Sequence, residues 1–346
     1  MLSQTFKRKL SFLCLSVFLA SPMVKAKVIE DSKGNQIDIP HQVNRVADLW
    51  HANNQIVLLL GGANKLVATT NVINANPWIR AVYPRISEVP ALTDGNNIQL
   101  EELLATRPDV VLLSNAKMLQ EIEKAGLKGV LIGFQDFEGL KKTVQITADV
   151  LGDNAPNVAK TYISELESNI QFVTDRLKHV SEAQRPTVAH IASAKNLLKI
   201  DGGKSIIGAW IKLAGGKNAL PEQANLVDVS LEELIKANPD IIIVGSTDAH
   251  LGVEKILSDP TWQSIKAVKE KKVYVNPLGT FAWDRYSAEE ALQILWASKL
   301  FHPELFKDVD MVSKTQAFYQ KYYQYHLTNE NAQQILQGLE PLPNKK

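Results

Sequence analysis

The chain contains one helix–strand phrase twice, and this repeat limits the folds it can adopt. NIQLEELLATRPDVVLLS, residues 97–114, returns as DVSLEELIKANPDIIIVGS, residues 228–246. In each copy a Leu-Glu-Glu-Leu segment indicates the start of a short helix, a Pro-Asp pair ends it, and an apolar run without polar alternation follows. Such a run predicts a parallel strand that is buried on both faces. Two such units in one chain predict two similar α/β lobes with a ligand cleft between them.

The first 26 residues predict a cleaved secretory signal peptide. Residues 7–9 are Lys-Arg-Lys, residues 10–20 are apolar, and residues 24–26 offer small side chains at a cleavage position. The apolar segment is too short to span a bilayer. The single cysteine, Cys14, lies inside this segment without small residues directly before it, which argues against a lipid anchor.

Cleavage after Ala26 would leave a mature chain without cysteine and lower the formal net charge from +1 to −3. No disulfide could then form in an oxidising compartment, so the hydrophobic cores must supply the stability. The charge also excludes the basic footprint of a nucleic-acid-binding protein. We expect a monomer that is free in the periplasm.

The remaining chain predicts two lobes joined by a helix. Strand-like segments alternate with helical patterns in a first lobe, residues 27–153, and again in a second lobe, residues 183–346, which ends in several helices. This alternation predicts parallel sheets with helices on both faces. Apolar residues spaced by three and four from Val158 to Val180 predict one long amphipathic helix within residues 154–182. The predicted fold class is α/β, with two Rossmann-like lobes joined by that helix.

Four features follow one another along the chain: an N-terminal hairpin at 28–39, LEELLATRPDVVLL, the long helix and LEELIKANPDIIIV. In this order they resemble the periplasmic substrate-binding proteins of ABC importers for iron complexes and cobalamin. The resemblance covers residues 28–300. It implies a ligand held between the lobes, small hinge motion, and a permease in the inner membrane as partner. It also implies an exposed glutamate on each lobe that docks onto permease arginines. Glu88 lies at about the matching place in the first lobe; the matching stretch of the second has Lys217, and Glu222 is the nearest acid.

The loops that follow the predicted strands should face the cleft, because ligands of parallel α/β sheets bind beyond the carboxyl ends of the strands. These loops are rich in aromatic, amide and basic groups, which suits a chelate with an apolar rim and anionic oxygens. Aromatic rings could stack on the ligand, and an arginine could pair with its anionic groups. The predicted ligand-binding residues are Trp50, His51, Asn53, Asn71, Asn115, Lys195, Trp283, Arg285 and Tyr286.

Several of these residues also have a purely structural interpretation. Arg285 could form a surface pair with the adjacent Asp284, and Trp283 could belong to the core. His51 and His250 follow strands of opposite lobes and could complete the coordination of a chelated metal, although a lone loop histidine is more often only solvated. The pattern assigns no role to the other five histidines: His41, His179, His190, His302 and His326.

The predicted cargo is an iron(III) complex of siderophore type, and no intrinsic cofactor is expected. A nickel or cobalt chelate, haem and cobalamin are alternatives. A bare zinc or manganese ion is a further one, but it needs three or four His, Asp or Glu ligands; the candidates are His51, Asp94, Asp248, His250 and Asp284. The chain has no dinucleotide, P-loop, hydrolase or metalloprotease motif, which argues against an enzyme. A further alternative is a sensor protein that binds the same ligand and docks to a receptor instead of a permease.

Overall fold

The computed structural model describes residues 26–342. The predicted signal peptide therefore lies outside the described residues, except for Ala26, which begins the first strand. The strands of the N-terminal half are β1 (Ala26–Glu30), β2 (Gln36–Pro40), β3 (Val46–Asp48), β4 (Leu66–Thr70), β5 (Ala91–Thr93), β6 (Val110–Leu113) and β7 (Gly129–Leu131). Its helices are α1 (His51–Leu59), α2 (Asn71–Ala75), α3 (Pro77–Val82), α4 (Leu100–Ala105), α5 (Ala116–Lys124), α6 (Phe137–Leu151) and α7 (Ala155–Leu177).

The C-terminal half repeats the alternation of strands and helices. Its strands are β8 (Thr187–Ile191), β9 (Lys199–Asp201), β10 (Lys217–Asn218), β11 (Val227–Asp228), β12 (Ile241–Val244) and β13 (Val273–Val275). Its helices are α8 (Ile206–Leu213), α9 (Leu231–Ala237), α10 (Ala249–Ser258), α11 (Lys266–Lys269), α12 (Glu290–Phe301), α13 (Met311–Phe318) and α14 (Asn329–Leu336).

Each half contains one central sheet, as the α/β prediction requires. The first sheet is parallel throughout, in the order β5-β4-β3-β6-β7. The second has the order β11-β9-β8-β12-β13, with β10 also paired to β8. This sheet is mixed and not purely parallel, because the chain turns back after β8 so that β9 pairs with it antiparallel, and β11 pairs antiparallel with β9. The N-terminal strands β1 and β2 form the predicted antiparallel hairpin.

The repeated phrase forms α4–β6 in the first lobe and α9–β12 in the second, so its prediction as a helix–strand unit is confirmed. All residues of β6 and β12 are buried. Alternate residues of each strand join different hydrophobic clusters: Val111 and Leu113 one, Val110 and Leu112 another. A strand that supplies two clusters is covered on both faces, which is why its sequence shows no polar alternation.

Helix α7 has 23 residues, which corresponds to a length of roughly 35 Å, and it lies between the two halves of the chain. It packs against α6 of the first half and α12 of the second. The Tyr162 hydroxyl donates to the carbonyl of Ala288 at 2.7 Å, and the Asn169 side chain donates to that of Ala291 at 3.0 Å. The largest core cluster contains Trp50, Tyr162 and Trp210 and is thus shared by both halves. Within residues 26–342, no helix combines the length and apolarity needed to cross a membrane.

Candidate functional site

The carboxyl ends of the first-sheet strands line a cavity of about 490 Å³. Trp50 follows β3, Ser114 follows β6, and Phe134 and Gln135 follow β7, while Tyr286 reaches the same space from the second lobe. Parallel strands bring these sequence-distant loops to one edge, which is where ligands bind in such sheets. The lining residues are Ser32, Lys33, Trp50, Ser114, Ala116, Leu131, Ile132, Gly133, Phe134, Gln135 and Tyr286.

Three aromatic rings meet beside this cavity, and we call them the aromatic cluster: Trp50, Phe134 and Tyr286. The ring centroids are 5.8 Å apart for Trp50 and Phe134, 5.9 Å for Trp50 and Tyr286, and 5.5 Å for Phe134 and Tyr286. The two pairs that include Phe134 are edge-on and the Trp50–Tyr286 pair is tilted; edge-on contacts at these distances are favourable for aromatic pairs. Trp50 and Phe134 are buried, whereas Tyr286 is half-buried. The cluster therefore joins the two lobes through rings that also border open space.

Tyr286 connects the lobes by one hydrogen bond as well, and a second one holds its hydroxyl within the second lobe. Its hydroxyl accepts from the side chain of Asn225 at 3.0 Å and donates to that of Gln135 at 3.4 Å. Its backbone has a φ of +54°, a left-handed conformation that costs a bulky residue roughly 1–3 kcal/mol. Burial is the main reason that the pKa of Tyr286 is raised, so the phenol stays neutral. The Tyr286 side chain thus reaches the first lobe from a backbone position that is strained.

His51, the first residue of α1, faces the second lobe across the cleft. Its ring centroid lies 5.6 Å from that of Phe281. Burial lowers the pKa of His51, so the imidazole is neutral at pH 7. Its Nδ1 is buried and has no hydrogen-bond partner among residues 26–342. A neutral ring with an unused nitrogen can bind a ligand proton or a metal ion.

His250, at the start of α10, also has a buried Nδ1 without a partner in the described part of the chain. Residues 26–342 contain no group of three or more His, Cys, Asp or Glu side chains that could hold a metal ion. His51 and His250 are therefore not brought together with the acids that a bare divalent cation would need.

Arg285 belongs to a group of buried titratable and charged side chains, which we call the buried charge network: His190, Asp201, Asp284 and Arg285. His190 Nδ1 lies 2.9 Å from Asp201 Oδ2, and its Nε2 lies 2.8 Å from Asp284 Oδ2. Arg285 Nη2 donates to Asp201 Oδ2 at 2.6 Å, and its Nε lies 3.7 Å from Asp284 Oδ1. The side chains of the first three are completely buried, and that of Arg285 is 15% exposed. The predicted alternative of a surface pair is wrong, because Asp201 is the closer partner and the pair is buried.

The ionisation of this network follows from its contacts. Burial has the largest effect on Asp201 and disfavours its charge, but the hydrogen bond from His190 and the charges of His190 and Arg285 outweigh burial and lower its pKa to about 2. Burial likewise disfavours the charged form of His190, yet its contacts with Asp201 and Asp284 together raise its pKa. The negative charge of Asp201 thus offsets the positive charge of Arg285, so Arg285 brings little net positive charge to the cleft.

Three predicted ligand residues have structural partners instead. Asn53 is fully buried, donates to Asp48 Oδ2 at 2.9 Å and accepts from Thr147 at 3.0 Å. Trp283 is also fully buried and donates from its indole to Glu289 Oε2 at 2.5 Å, so it presents no face to the cleft. The Asn115 side chain caps α5 by accepting from two backbone amides of that helix.

The remaining predicted residues are on the surface. Asn71 begins α2 and Lys195 follows β8, and both are exposed. Glu88 ends a 3₁₀ turn and lies 3.5 Å from Arg85, and Glu222 lies 2.9 Å from Lys204; both glutamates are well exposed. Surface pairs of this kind are worth less than about 1 kcal/mol, so either carboxylate is free to exchange its partner.

The comparisons with known proteins agree with this architecture. Residues 46–277 match the model of a family described as periplasmic binding protein. The molybdate-binding protein MolA of Haemophilus influenzae is 26% identical over 355 residues, which cover 94% of this chain and 99% of MolA. The haem uptake protein IsdE of Staphylococcus aureus is 25% identical over 201 residues, or 55% of this chain and 67% of IsdE.

Solved structures share the fold. MolA bound to molybdate superposes with a TM-score of 0.78 at 24% identity, covering 87% of this chain and 99% of MolA. The nickel–histidine complex of Helicobacter pylori CeuE gives a TM-score of 0.74 at 20% identity, covering 88% of this chain and 98% of CeuE. The family match spans well over half of the chain, so the protein belongs to the periplasmic binding proteins. This family consists of ligand-binding transport proteins and not of enzymes.

Proposed function

We propose that the protein captures an iron(III) complex of siderophore type, or a closely similar metal chelate, between its lobes in the periplasm and delivers it to the permease of an ABC importer in the inner membrane. The single observation that carries the choice of ligand is the aromatic cluster beside a cavity of about 490 Å³. Aromatic faces bind flat, apolar chelate rims. A cavity of this volume lies in the range for ligands larger than simple ions.

In this proposal Trp50 and Tyr286 contact the organic part of the complex, and His51 offers its free Nδ1 to the ligand or its metal. Arg285 and Lys195 lie outside the lining of the cavity and are proposed to attract anionic oxygens of the complex from its surroundings, Arg285 more weakly than its charge suggests because Asp201 offsets it. Exposed Glu88 and Glu222 are the proposed contacts with the permease. Asn53 and Trp283 do not form part of this site.

A free oxyanion such as molybdate is the second candidate, and the near-complete coverage of MolA by this chain favours it. A tetrahedral oxyanion binds through several hydrogen-bond donors and cations, not through aromatic faces. Polar side chains of the lining are Ser32, Lys33, Ser114 and Gln135, together with the hydroxyl of Tyr286, and Lys33 is the only cation among the lining residues. The chelate therefore fits the composition of the cavity better.

Thermal unfolding of the purified protein separates the candidates. A ligand that binds only the folded state raises the melting temperature by mass action. We expect a rise with ferric hydroxamate or catecholate complexes, tested beside nickel–histidine, haemin and cobalamin. Molybdate and tungstate, with sulfate as a control, test the second candidate. A rise with molybdate and none with any chelate would replace the first proposal by the second.

Variants locate the site. Tyr286→Ala removes the only ring that the second lobe gives to the aromatic cluster, and we expect an approximately tenfold weaker affinity, equivalent to about 1.4 kcal/mol. Tyr325→Ala is the matched control, since Tyr325 is also half-buried but does not line the cavity. Equal affinities of the two variants for a ferric complex that binds the unmodified protein would contradict the cleft assignment.

A further inference from the structure

The N-terminal hairpin reaches the ligand site. The backbone amide of Ser32 donates to the carbonyl of Leu131, the last residue of β7, at 2.9 Å. This bond fixes the hairpin turn, residues 31–35, at the carboxyl edge of the first sheet. As a result Ser32 and Lys33 line the same cavity as the aromatic cluster.

The turn that carries Lys33 is rigid. Asp31 is completely buried, and its Oδ1 accepts from the amides of Lys33 at 2.8 Å and Asn35 at 2.9 Å. Its Oδ2 accepts from the side chain of Asn35 at 3.0 Å. Gly34 has a φ of +86°, which only glycine adopts without strain. The backbone of Lys33 is therefore held in place while its side chain is exposed and free to move.

Lys33 is the only charged residue that lines the cavity. It forms no ion pair with any residue of the described chain, 26–342. Lys142, which also contacts the hairpin, differs because it is paired with Glu30 of β1 at 3.0 Å. The cavity thus has one cation without a counter-charge and no carboxylate, an arrangement that favours an anionic group on the ligand.

We infer that the hairpin supplies a specificity residue: the ligand carries an anionic substituent, such as a carboxylate, that binds Lys33 while its flat part contacts the aromatic cluster. This inference deepens the proposed function and rests on it for the nature of the complete cargo. The subsite itself can be tested with a fragment of the cargo.

The probes are 2,3-dihydroxybenzoate and catechol, which share one ring and differ by a carboxylate. We expect both to shift amide resonances of cavity residues in an NMR titration of the purified protein. The carboxylate should improve affinity roughly threefold, as expected for an exposed pair. This advantage should disappear between about 50 mM and about 500 mM salt, because salt screens exposed charges.

Lys33→Gln should remove the preference for 2,3-dihydroxybenzoate and leave catechol binding unchanged. Lys236→Gln is the control of equal charge change, because Lys236 lies in the last turn of α9, near the amino end of β12 and far from the carboxyl edges. Equal effects of the two substitutions would overturn the inference. So would an absence of cavity shifts with both fragments.

The two proposals fail in different ways. If ferric complexes raise the melting temperature and the fragments do not bind, the transport proposal stands and the Lys33 subsite is wrong. If the fragments bind with the expected preference and no metal complex binds, the subsite stands and the cargo has been misassigned.

Discussion

Replacing Asp201 by asparagine should destabilise the protein by about 3 kcal/mol. Asp201 Oδ2 contacts both cations of the buried charge network, His190 at 2.9 Å and Arg285 at 2.6 Å. Breaking a buried pair from one side costs about 3–5 kcal/mol, because the remaining charge is left uncompensated. The lower end applies here, since Arg285 is 15% exposed and keeps Asp284 at 3.7 Å. Asparagine has the same shape and can still accept from the Leu226 amide at Oδ1.

The effect has a predictable pH dependence. The pKa of Asp201 lies below its ordinary 3.8, so the stability it contributes is present above about pH 4 and lost as the pH falls toward 2. The pKa of His190 lies above its ordinary 6.5, so its contribution is fully present below about pH 6.5 and lost as the pH rises through the raised value. The deficit of the variant should therefore be largest between about pH 4 and about pH 6.5.

Urea unfolding at a series of pH values measures this deficit. Asp228→Asn is the matched control in the same sheet, because Asp228 forms an exposed pair with Lys199 at 3.2 Å and should cost less than about 1 kcal/mol. Two results would refute the reasoning: a loss for Asp201→Asn no larger than that of the control, or a deficit that stays constant from pH 4 to pH 9.

Three further outcomes are expected. Burial raises the pKa of Glu289 from 4.5 to about 7, so the folded protein holds a proton that the unfolded chain has lost, and its stability should fall by about 3 kcal/mol as the pH rises from about 4.5 to above 7. Glu289→Gln should remove this decline, which is measured by comparing urea midpoints at about pH 5 and about pH 8. Asn115→Ala should lower stability by about 1 kcal/mol through loss of a helix cap and leave chelate affinity unchanged by titration. Glu88→Gln should leave affinity unchanged and reduce uptake of the bound metal by cells, and normal uptake would exclude its role in docking.

The positions of the buried strands were predictable because each is a short, continuous apolar run in the sequence. The runs that became β6 and β12 are apolar at every position, and both strands are covered on two faces. Because these strands run parallel, the loops that follow them lie at one edge of the sheet, and the sequence therefore predicted that Trp50 and Tyr286 lie near the cleft.

The buried charge network was not predictable from spacing. His190 and Asp201 meet because β8 and β9 pair antiparallel, with His190 opposite Asp201. The sequence suggested only parallel strands here, so His190 received no role. A register between strands is a property of the folded sheet, and no local pattern specifies that residues 11 positions apart in the sequence will lie opposite each other.

Loop tryptophans show the same limit. Trp50 and Trp283 both lie next to polar residues in the sequence. Trp50 borders the cavity, whereas Trp283 is buried in the core and its indole donates to Glu289. Helices and strands have a period that tells which side chains point inward. A loop has none, so the burial of its side chains depends on partners that lie far away in the sequence.

Residues 284–286 join two kinds of contact that differ in strength, and this difference suits a cleft that must open. Asp284 and Arg285 are fixed within the second lobe by the buried charge network, whereas Tyr286 reaches the first lobe through two ring contacts and one hydrogen bond of 3.4 Å. Ring contacts are worth roughly 0.5–1.5 kcal/mol each, while a ligand bound at micromolar affinity releases about 8 kcal/mol. A chelate can therefore displace Tyr286 from Trp50 and Phe134 and take over those contacts, while the network keeps the segment itself in place. The aromatic cluster is then a set of contacts between the two lobes that a bound ligand replaces.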